Sequence, residues 1–227
     1  MPSYGETEVV PPPSRRAGGN ALTLSFAALA LASRNRGFWI LVGTFFVCGL
    51  STNGLVQNHF IPLCHDFGMD AVAAASVLAM MGAFDFVGTI GSGWLSDRFD
   101  NRWLLCWYFG LRGVSLLMLP YTDFSFYGLS LFAVFYGLDW IATVPPTVRL
   151  TAQTFGRAQA PLVFGWIFTA HQLGAAAAAF GAGISRDALA SYLPAFGAAG
   201  VACLAAALAV IAMRRGSDEV RVAVAAE

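Results

Sequence analysis

Six long apolar stretches, each ending in a charged or turn-forming break, dominate this chain of 227 residues. A helix needs about 20 apolar residues to cross the hydrocarbon core of a bilayer. With 57% apolar and 11% charged residues, the chain is too apolar for a soluble domain of this size. We therefore predict an all-α membrane protein with six transmembrane helices. Their expected ranges are 38–62, 71–95, 103–120, 126–148, 161–184 and 191–213.

These spans divide the chain into three parts. Residues 1–37 are expected to form a cytoplasmic, linker-like leader, because most of them are polar or turn-forming. Within this leader, residues 21–33 are apolar and are predicted to form a short helix at the membrane interface. Residues 38–213 are the predicted transmembrane domain, and residues 214–227 are the predicted cytoplasmic tail.

Arginine placement predicts the orientation, because basic residues near span ends stay in the cytoplasm. With both ends inside, only Arg186 lies outside, and Arg112 lies within the third span. The other eleven arginines then lie on the cytoplasmic side: Arg15, Arg16, Arg34, Arg36, Arg98, Arg102, Arg149, Arg157, Arg214, Arg215 and Arg221. The sequence thus predicts a multi-pass protein of the cell membrane with both termini cytoplasmic.

Four ionisable residues inside the spans lie at one expected depth. Counted from the cytoplasmic end of each span, every one is about 14–15 Å deep, near the middle of a core of about 30 Å. A charge there costs about 2.5–3.5 kcal/mol on insertion scales, so it should meet a partner or a wet cavity. We predict a solute or proton pathway, with buried ion pairs of no transport role as the alternative. The four residues are Asp85, Arg112, Asp139 and His171, and the expected pairs are Asp85 with Arg112 and Asp139 with His171.

Two further polar residues, Asn53 and Gln57, lie in the outer part of span one. They are candidates for the same pathway. A polar helix end near the lipid headgroups explains them equally well.

Small residues are frequent in the second and fifth spans, around Gly82 and Ala178. In lipid, helices associate through such close-packing faces. We expect these two faces to contact a second six-helix unit or another copy of the chain. The alternative is that they pack inside the bundle.

Several functions are disfavoured. Zero formal net charge and the absence of a basic excess argue against nucleic-acid binding. The four cysteines are scattered singly and are interpreted as packing residues, and Cys64 to Asp66 fit a solvated loop better than a metal site. The sequence offers no arrangement typical of an intramembrane enzyme, and we expect no cofactor.

The loop between spans two and three holds a motif. Gly93-Trp94-Leu95-Ser96-Asp97-Arg98 is followed four residues later by Arg102. This pattern resembles the signature loop between the second and third helices of each half of a major facilitator superfamily carrier. Asp100 and Asn101 depart from the signature, as often happens in the second half, so the chain resembles a C-terminal half.

Within that superfamily the chain is most similar to the monocarboxylate and oxalate/formate branch and its bacterial relatives. The similarity rests on residues 48–54, on Phe84-Asp85-Phe86, and on Gly137 to Trp140 with Pro145-Pro146. Monocarboxylate carriers place an arginine one turn after the acid of this second span, where this chain has Thr89.

The resemblance implies half of a twelve-helix fold, built as two inverted three-helix repeats. It also implies secondary active transport of a small polar or anionic solute, with a monocarboxylate as one option, by a proton-coupled symporter or antiporter. The partners would be lipid and a second six-helix half or a second copy. The alternative is a truncated scaffold or assembly subunit that moves no solute.

The same resemblance assigns a gating role to the loop residues Gly93, Asp97, Arg98 and Arg102. Asp97 is expected to lie against the free amide groups at the start of span five, near Pro161, where a helix dipole stabilises a carboxylate. The alternative is that these charges only fix the topology.

Overall fold

The computed structural model describes residues 20–213, so residues 1–19 of the predicted leader and the predicted tail lie outside the described residues. Every regular element in the described part is helical. The α-helices are α1 Ala21–Ala32, α2 Arg36–Gly49, α3 Gln57–Asp66, α4 Ala71–Ser96, α5 Asn101–Met118, α6 Phe126–Asp139, α7 Val144–Phe155, α8 Ala160–Leu189 and α9 Leu193–Ile211. A π-helix, Leu50–Val56, joins α2 to α3, and a 3₁₀ turn, Leu119–Tyr121, follows α5.

Six helical segments of the described chain are long and apolar enough to cross a membrane, which confirms the predicted number. They run Arg36–Asp66, Ala71–Ser96, Asn101–Tyr121, Phe126–Phe155, Ala160–Leu189 and Leu193–Ile211, and we number them span one to span six. Most are longer than expected, and the fifth continues past Arg186. Charged break residues serve as helix caps: Asp70 accepts from the Val72 amide at 2.9 Å and Asp100 from the Arg102 amide at 3.0 Å.

The spans pack with an internal two-fold pattern. Span one packs on span five, and span four packs on span two in the same way. Span one also contacts span six, as span four contacts span three, and spans three and six pack on each other. Exchanging spans one to three with spans four to six therefore leaves the packing pattern unchanged, which is the arrangement that two three-helix repeats produce.

Helix α1 lies against span five. The indole nitrogen of Trp166 donates to the Ser25 carbonyl at 3.0 Å, and the rings of Phe26 and Trp166 are 5.3 Å apart. Leu22 and Leu24 of this helix stay exposed. The helix lies where the apolar run indicates one, and its interfacial position stays a prediction.

Small residues allow spans one and five to approach very closely. A Cβ added at Gly174 would lie 2.0 Å from the Phe46 carbonyl oxygen, and one at Gly49 would lie 1.9 Å from the His171 carbonyl oxygen. Ala178 is buried in this contact, beside Gly54. The expectation that Ala178 faces a second unit is therefore wrong, because span one already covers it. Gly82 of span two faces open space.

Candidate functional site

Spans one and four are both irregular at the same relative position. The π-helix begins at Leu50, 14 residues after Arg36 (50 − 36), and the helical ladder of span four breaks at Trp140, 14 residues after Phe126 (140 − 126). The break covers residues 140–143, between α6 and α7. Spans one and four are equivalent under the internal two-fold pattern, so two matching irregular segments meet in the middle of the bundle. Irregular backbone at membrane depth needs hydrogen-bonding partners from its surroundings.

Arg112 of span three supplies many of these partners. Its Nε donates to Asp139 Oδ2 at 2.7 Å, and its Nη2 donates to the carbonyls of Asp139 at 2.6 Å and Trp140 at 3.0 Å. Its Nη1 donates to Cys48 Sγ at 3.2 Å and to Ser51 Oγ at 3.4 Å. A guanidinium has five N–H donors, and these five contacts use them all. Arg112 is fully buried and is committed to the two irregular segments.

Two residues of span two hold the rest of the break. Ser92 Oγ donates to the Ala142 carbonyl at 2.5 Å, and Asp85 Oδ1 accepts from the Ile141 amide at 2.8 Å. Thr89 Oγ1 also donates to Asp85 Oδ1, at 3.2 Å. Side chains from spans two and three thus satisfy backbone groups that a continuous helix would pair internally.

The irregular segment of span one is held by spans four and five. Tyr136 Oη donates to the Ser51 carbonyl at 2.7 Å, inside the π-helix. The Cys48 thiol lies 3.3 Å from Thr143 Oγ1 and within hydrogen-bonding reach of the His171 ring. His171 contacts Gln172 at 3.1 Å and stacks on Phe168. Polar contacts therefore run through the bundle from Gln172 to Asp85.

The structure corrects both expected ion pairs. Arg112 pairs with Asp139 and not with Asp85, because span three packs beside the break of span four. His171 meets Cys48 and Gln172 and not Asp139, because span one lies between spans five and four at this level. All four residues belong to one group of polar side chains around the two irregular segments, although Asp85 joins it through the Ile141 amide and the partners differ from those expected. Cys48, interpreted from the sequence as a packing residue, is a member of this group.

The residues of the candidate site differ in how far their side chains are exposed. Arg112 and Asp139 are buried, and Asp139 Oδ1 has no hydrogen-bond partner in the described chain. Asp85 is partly exposed, and Asn53 and Gln57 are exposed. Within residues 20–213, no group of three or more His, Cys, Asp or Glu side chains is arranged to hold a metal ion.

The loop residues make local contacts at the bundle end. Asp97 forms an ion pair with Arg149, at the end of span four, so its expected contact with the start of span five is wrong. Arg149 reaches the carboxylate because α7 packs on α4. Arg102 pairs with Asp100 at 2.8 Å and donates to the Met213 carbonyl at 2.6 Å. Arg98 lies 4.0 Å above the Trp94 ring.

Sequence reasoning missed both irregular segments and the residues Ser51, Ser92, Tyr136 and Thr143 that make hydrogen bonds at them. A signal for the break was present. Pro145 and Pro146 lack amide hydrogens and cannot continue an α-helical ladder from the preceding turn. The polar supporting residues carry no pattern of their own, because serine and threonine are common in membrane helices.

Comparison with known proteins agrees with this architecture of a multi-pass helical membrane protein with a polar centre. A family model described as Major Facilitator Superfamily matches residues 60–226. The chain belongs to the major facilitator superfamily.

Three relatives illustrate the similarity. The uncharacterized MFS-type transporter YcxA of Bacillus subtilis (strain 168) is 28% identical over 176 residues, covering 70% of this chain and 42% of the relative. Monocarboxylate transporter 13 of Rattus norvegicus is 31% identical over 65% of this chain and 36% of the relative. Monocarboxylate transporter 12-B of Danio rerio is 28% identical over 59% of this chain and 28% of the relative. The chain spans less than half the length of each of these relatives.

Proposed function

We propose that this chain is the six-helix half of a secondary active carrier that moves a small polar or anionic solute across the cell membrane. The observation that supports the proposal best is the pair of matching irregular segments in spans one and four. Interrupted helices at equivalent positions of two repeats are the strongest pointer to a midplane solute site in transporters. The alternative is a scaffold or assembly subunit that moves nothing.

The proposed division of labour follows from charge and exposure. The Arg112–Asp139 pair is buried and neutral as a unit, and the arginine has no donor left for a solute. We therefore assign this pair to holding the break in shape. Asp85 is partly exposed and has only the Ile141 amide and Thr89 as hydrogen-bond partners among the described residues. We assign Asp85, Asn53 and Gln57 to the solute and proton pathway.

Proton coupling is proposed for the same pathway. An unperturbed histidine side chain changes its charge near neutral pH, and His171 is the histidine of this group. Its ring contacts the exposed Gln172 at 3.1 Å and lies near the buried Cys48, whose sulfur accepts from Arg112. The positive charge of a proton bound to His171 would therefore act electrostatically on the groups that hold both irregular segments.

A monocarboxylate is the proposed solute, by similarity to the two relatives named as monocarboxylate transporters. Because Arg112 is fully engaged, a cation that receives the carboxylate would have to come from a second six-helix half or a second copy. Gly82, where an added Cβ would meet open space, is a candidate point of contact with that unit. Both termini are proposed to be cytoplasmic, and Asp97, Arg98 and Arg102 to act at the cytoplasmic gate.

Uptake assays test the proposal. Cells producing the assembled carrier are given radiolabelled lactate at several external pH values, with membrane protein quantified by blot. Asp85→Asn should lower uptake at least tenfold, and His171→Gln should flatten the pH dependence while uptake persists. Asp187→Asn, at the outer end of span five, is the matched control and should behave like the wild type. If Asp85→Asn and His171→Gln both leave uptake and its pH response unchanged, the assigned pathway is wrong.

Two measurements establish assembly and orientation, and a solute panel then separates the carrier from the scaffold. Cysteine cross-linking at Gly82 should report contact with a second six-helix unit, and Gly82→Leu should weaken that contact. Reporter fusions in the loop 96–102 should read cytoplasmic, and fusions near residues 66 and 123 should read external. A chain that assembles in this orientation but moves none of a panel of small polar and anionic solutes would favour the scaffold.

A further inference from the structure

The end of the bundle that holds the loop 96–102 contains a cavity that the transport proposal does not use. The cavity has a volume of about 340 Å³ and lies between the start of span one and the ends of spans four and six. We call it the arginine cavity, and its lining includes Arg36, Gly37, Trp39, Ile40, Thr154 and Met213.

Charge in the arginine cavity is positive. Arg36 forms no ion pair with any residue of the described chain. The cavity also lies at the amino-terminal end of α2, where the helix dipole favours an anion, although the Gly37 amide already donates to Asn35 Oδ1 at 2.6 Å. Among residues 20–213, no acidic residue lines the cavity. An anionic group is therefore the ligand that this lining favours.

An apolar groove continues from the cavity toward the middle of the membrane. It has a volume of about 460 Å³, lies between spans one and six, and shares Trp39 and Ile40 with the arginine cavity. Its other lining residues include Gly43, Thr44, Val47, Ala202, Ala205 and Ala209. From Trp39 to Val47 the helix rises about 12 Å, which lies within one leaflet of a core of about 30 Å.

Trp39 lies at the junction of the two spaces. Its indole nitrogen donates to the Ser33 carbonyl at 2.8 Å, and 57% of the residue is exposed. This is the usual arrangement of a tryptophan at the level of the lipid headgroups, with its polar edge bonded and its ring in contact with acyl chains. The junction between a charged cavity and an apolar groove therefore lies at headgroup depth.

We propose that the arginine cavity and the groove together form a binding site for one anionic phospholipid. The phosphate lies at the Arg36 guanidinium, near the amino-terminal end of α2, and one acyl chain lies along the groove between spans one and six. Charge complementarity and the continuity of the two spaces favour a lipid over a soluble anion. A soluble anion has no apolar chain that could fill the groove.

Native mass spectrometry of the purified chain, titrated with phosphatidylglycerol or phosphatidylcholine, tests this site. The wild type should bind phosphatidylglycerol more tightly, and Arg36→Gln should reduce that preference by about fivefold, the effect of one basic residue near an anionic lipid surface. Arg34→Gln, an exposed neighbour that does not line the cavity, is the matched control and should keep the preference.

Gly43→Leu tests the groove, because an added Cβ there meets open space and Gly43 lines the groove. It should weaken binding of both lipids. Gly110→Leu, in span three, also enters open space and is the control for a leucine on a lipid-facing surface. Glycerol phosphate, which lacks acyl chains, should not displace the lipid. The proposal is overturned if the wild type shows no preference, if Arg34→Gln acts like Arg36→Gln, if Gly43→Leu binds normally, or if glycerol phosphate displaces the lipid.

Discussion

The middle of the bundle and its two ends use the same chemistry, an arginine paired with an aspartate, in different surroundings. In the middle, Arg112 and Asp139 have side chains that are 0% and 4% exposed. At one end, Arg149 and Asp97 are 47% and 51% exposed, and at the other, Arg186 and Asp66 are 38% and 25% exposed. Water or headgroups can replace a partner at the ends, whereas in the middle a lost partner leaves a bare charge in a low-dielectric interior. The value of an ion pair in this protein is therefore set by its depth.

Asp139→Asn should have the largest effect. It leaves the Arg112 guanidinium buried without a counter-charge and should lower the free energy of unfolding by about 3–5 kcal/mol, the usual loss when one partner of a buried pair is removed. An SDS or thermal titration in detergent micelles measures this loss. Adding Arg112→Gln should recover part of the stability, because no uncompensated charge remains. A single variant as stable as the wild type would show that depth does not set the value of the pair.

Ser92→Ala should have the next largest effect, through a hydrogen bond and not through charge. The Ala142 carbonyl in the break loses its Ser92 donor, at a cost of about 1–3 kcal/mol for an unsatisfied buried group. Ser96→Ala is the matched control, because Ser96 lies on the same helix, is buried, and has no hydrogen-bond partner for its hydroxyl in the described chain. The same unfolding titration applies, and equal losses in the two variants would contradict the role of Ser92.

Arg186→Gln should have a smaller effect. The variant removes the ion pair with Asp66 at 2.9 Å and the contact of the guanidinium with the Tyr192 ring at 5.8 Å. Both are partly exposed, so the expected loss is below about 1 kcal/mol. The loss should shrink at high salt, where a partly exposed pair is screened. Unfolding titrations at low and high salt check this, and a loss comparable to that of Asp139→Asn would break the comparison.

Asp97→Asn should have the smallest effect on stability. About half of each side chain in the Asp97–Arg149 pair is exposed, and such pairs contribute about 0–1 kcal/mol. If the loop acts as a gate, this variant should change uptake more than it changes unfolding. Comparing the two measurements on the same membrane preparation separates the roles. If uptake and stability are both unchanged, Asp97 is not a gating residue, and its only role is in setting the topology.

The number of membrane spans and their helical type could be predicted from the sequence because each depends on a local property. A run of about 20 apolar residues forms a helix in lipid whatever its neighbours are, since every backbone group must be paired within the segment. The starts of the spans also depend on local chemistry, as the capping by Asp70 and Asp100 illustrates. The common depth of Asp85, Arg112, Asp139 and His171 followed from counting residues along helices of constant rise.

Partner choice could not be predicted in the same way, because depth fixes a level and not a direction around the helix. Asp85 and Asp139 were both at the right level for Arg112, and only the packing of spans two, three and four selects Asp139. Likewise, the small residues of span five indicated a close contact, but they could not reveal that span one of the same chain provides it.

The sequence by itself determined six apolar helices, their approximate positions and the level of their charges, because hydrophobic length and helical rise act within one segment. Only the tertiary structure decided which arginine meets which aspartate, that spans one and four are irregular at equivalent places, and which side chains satisfy the freed backbone. The physical reason is that a broken helix in a membrane is stable only when groups from other spans complete its hydrogen bonds. Those groups, Arg112 and Ser92 among them, are distant in sequence and close only in the folded bundle.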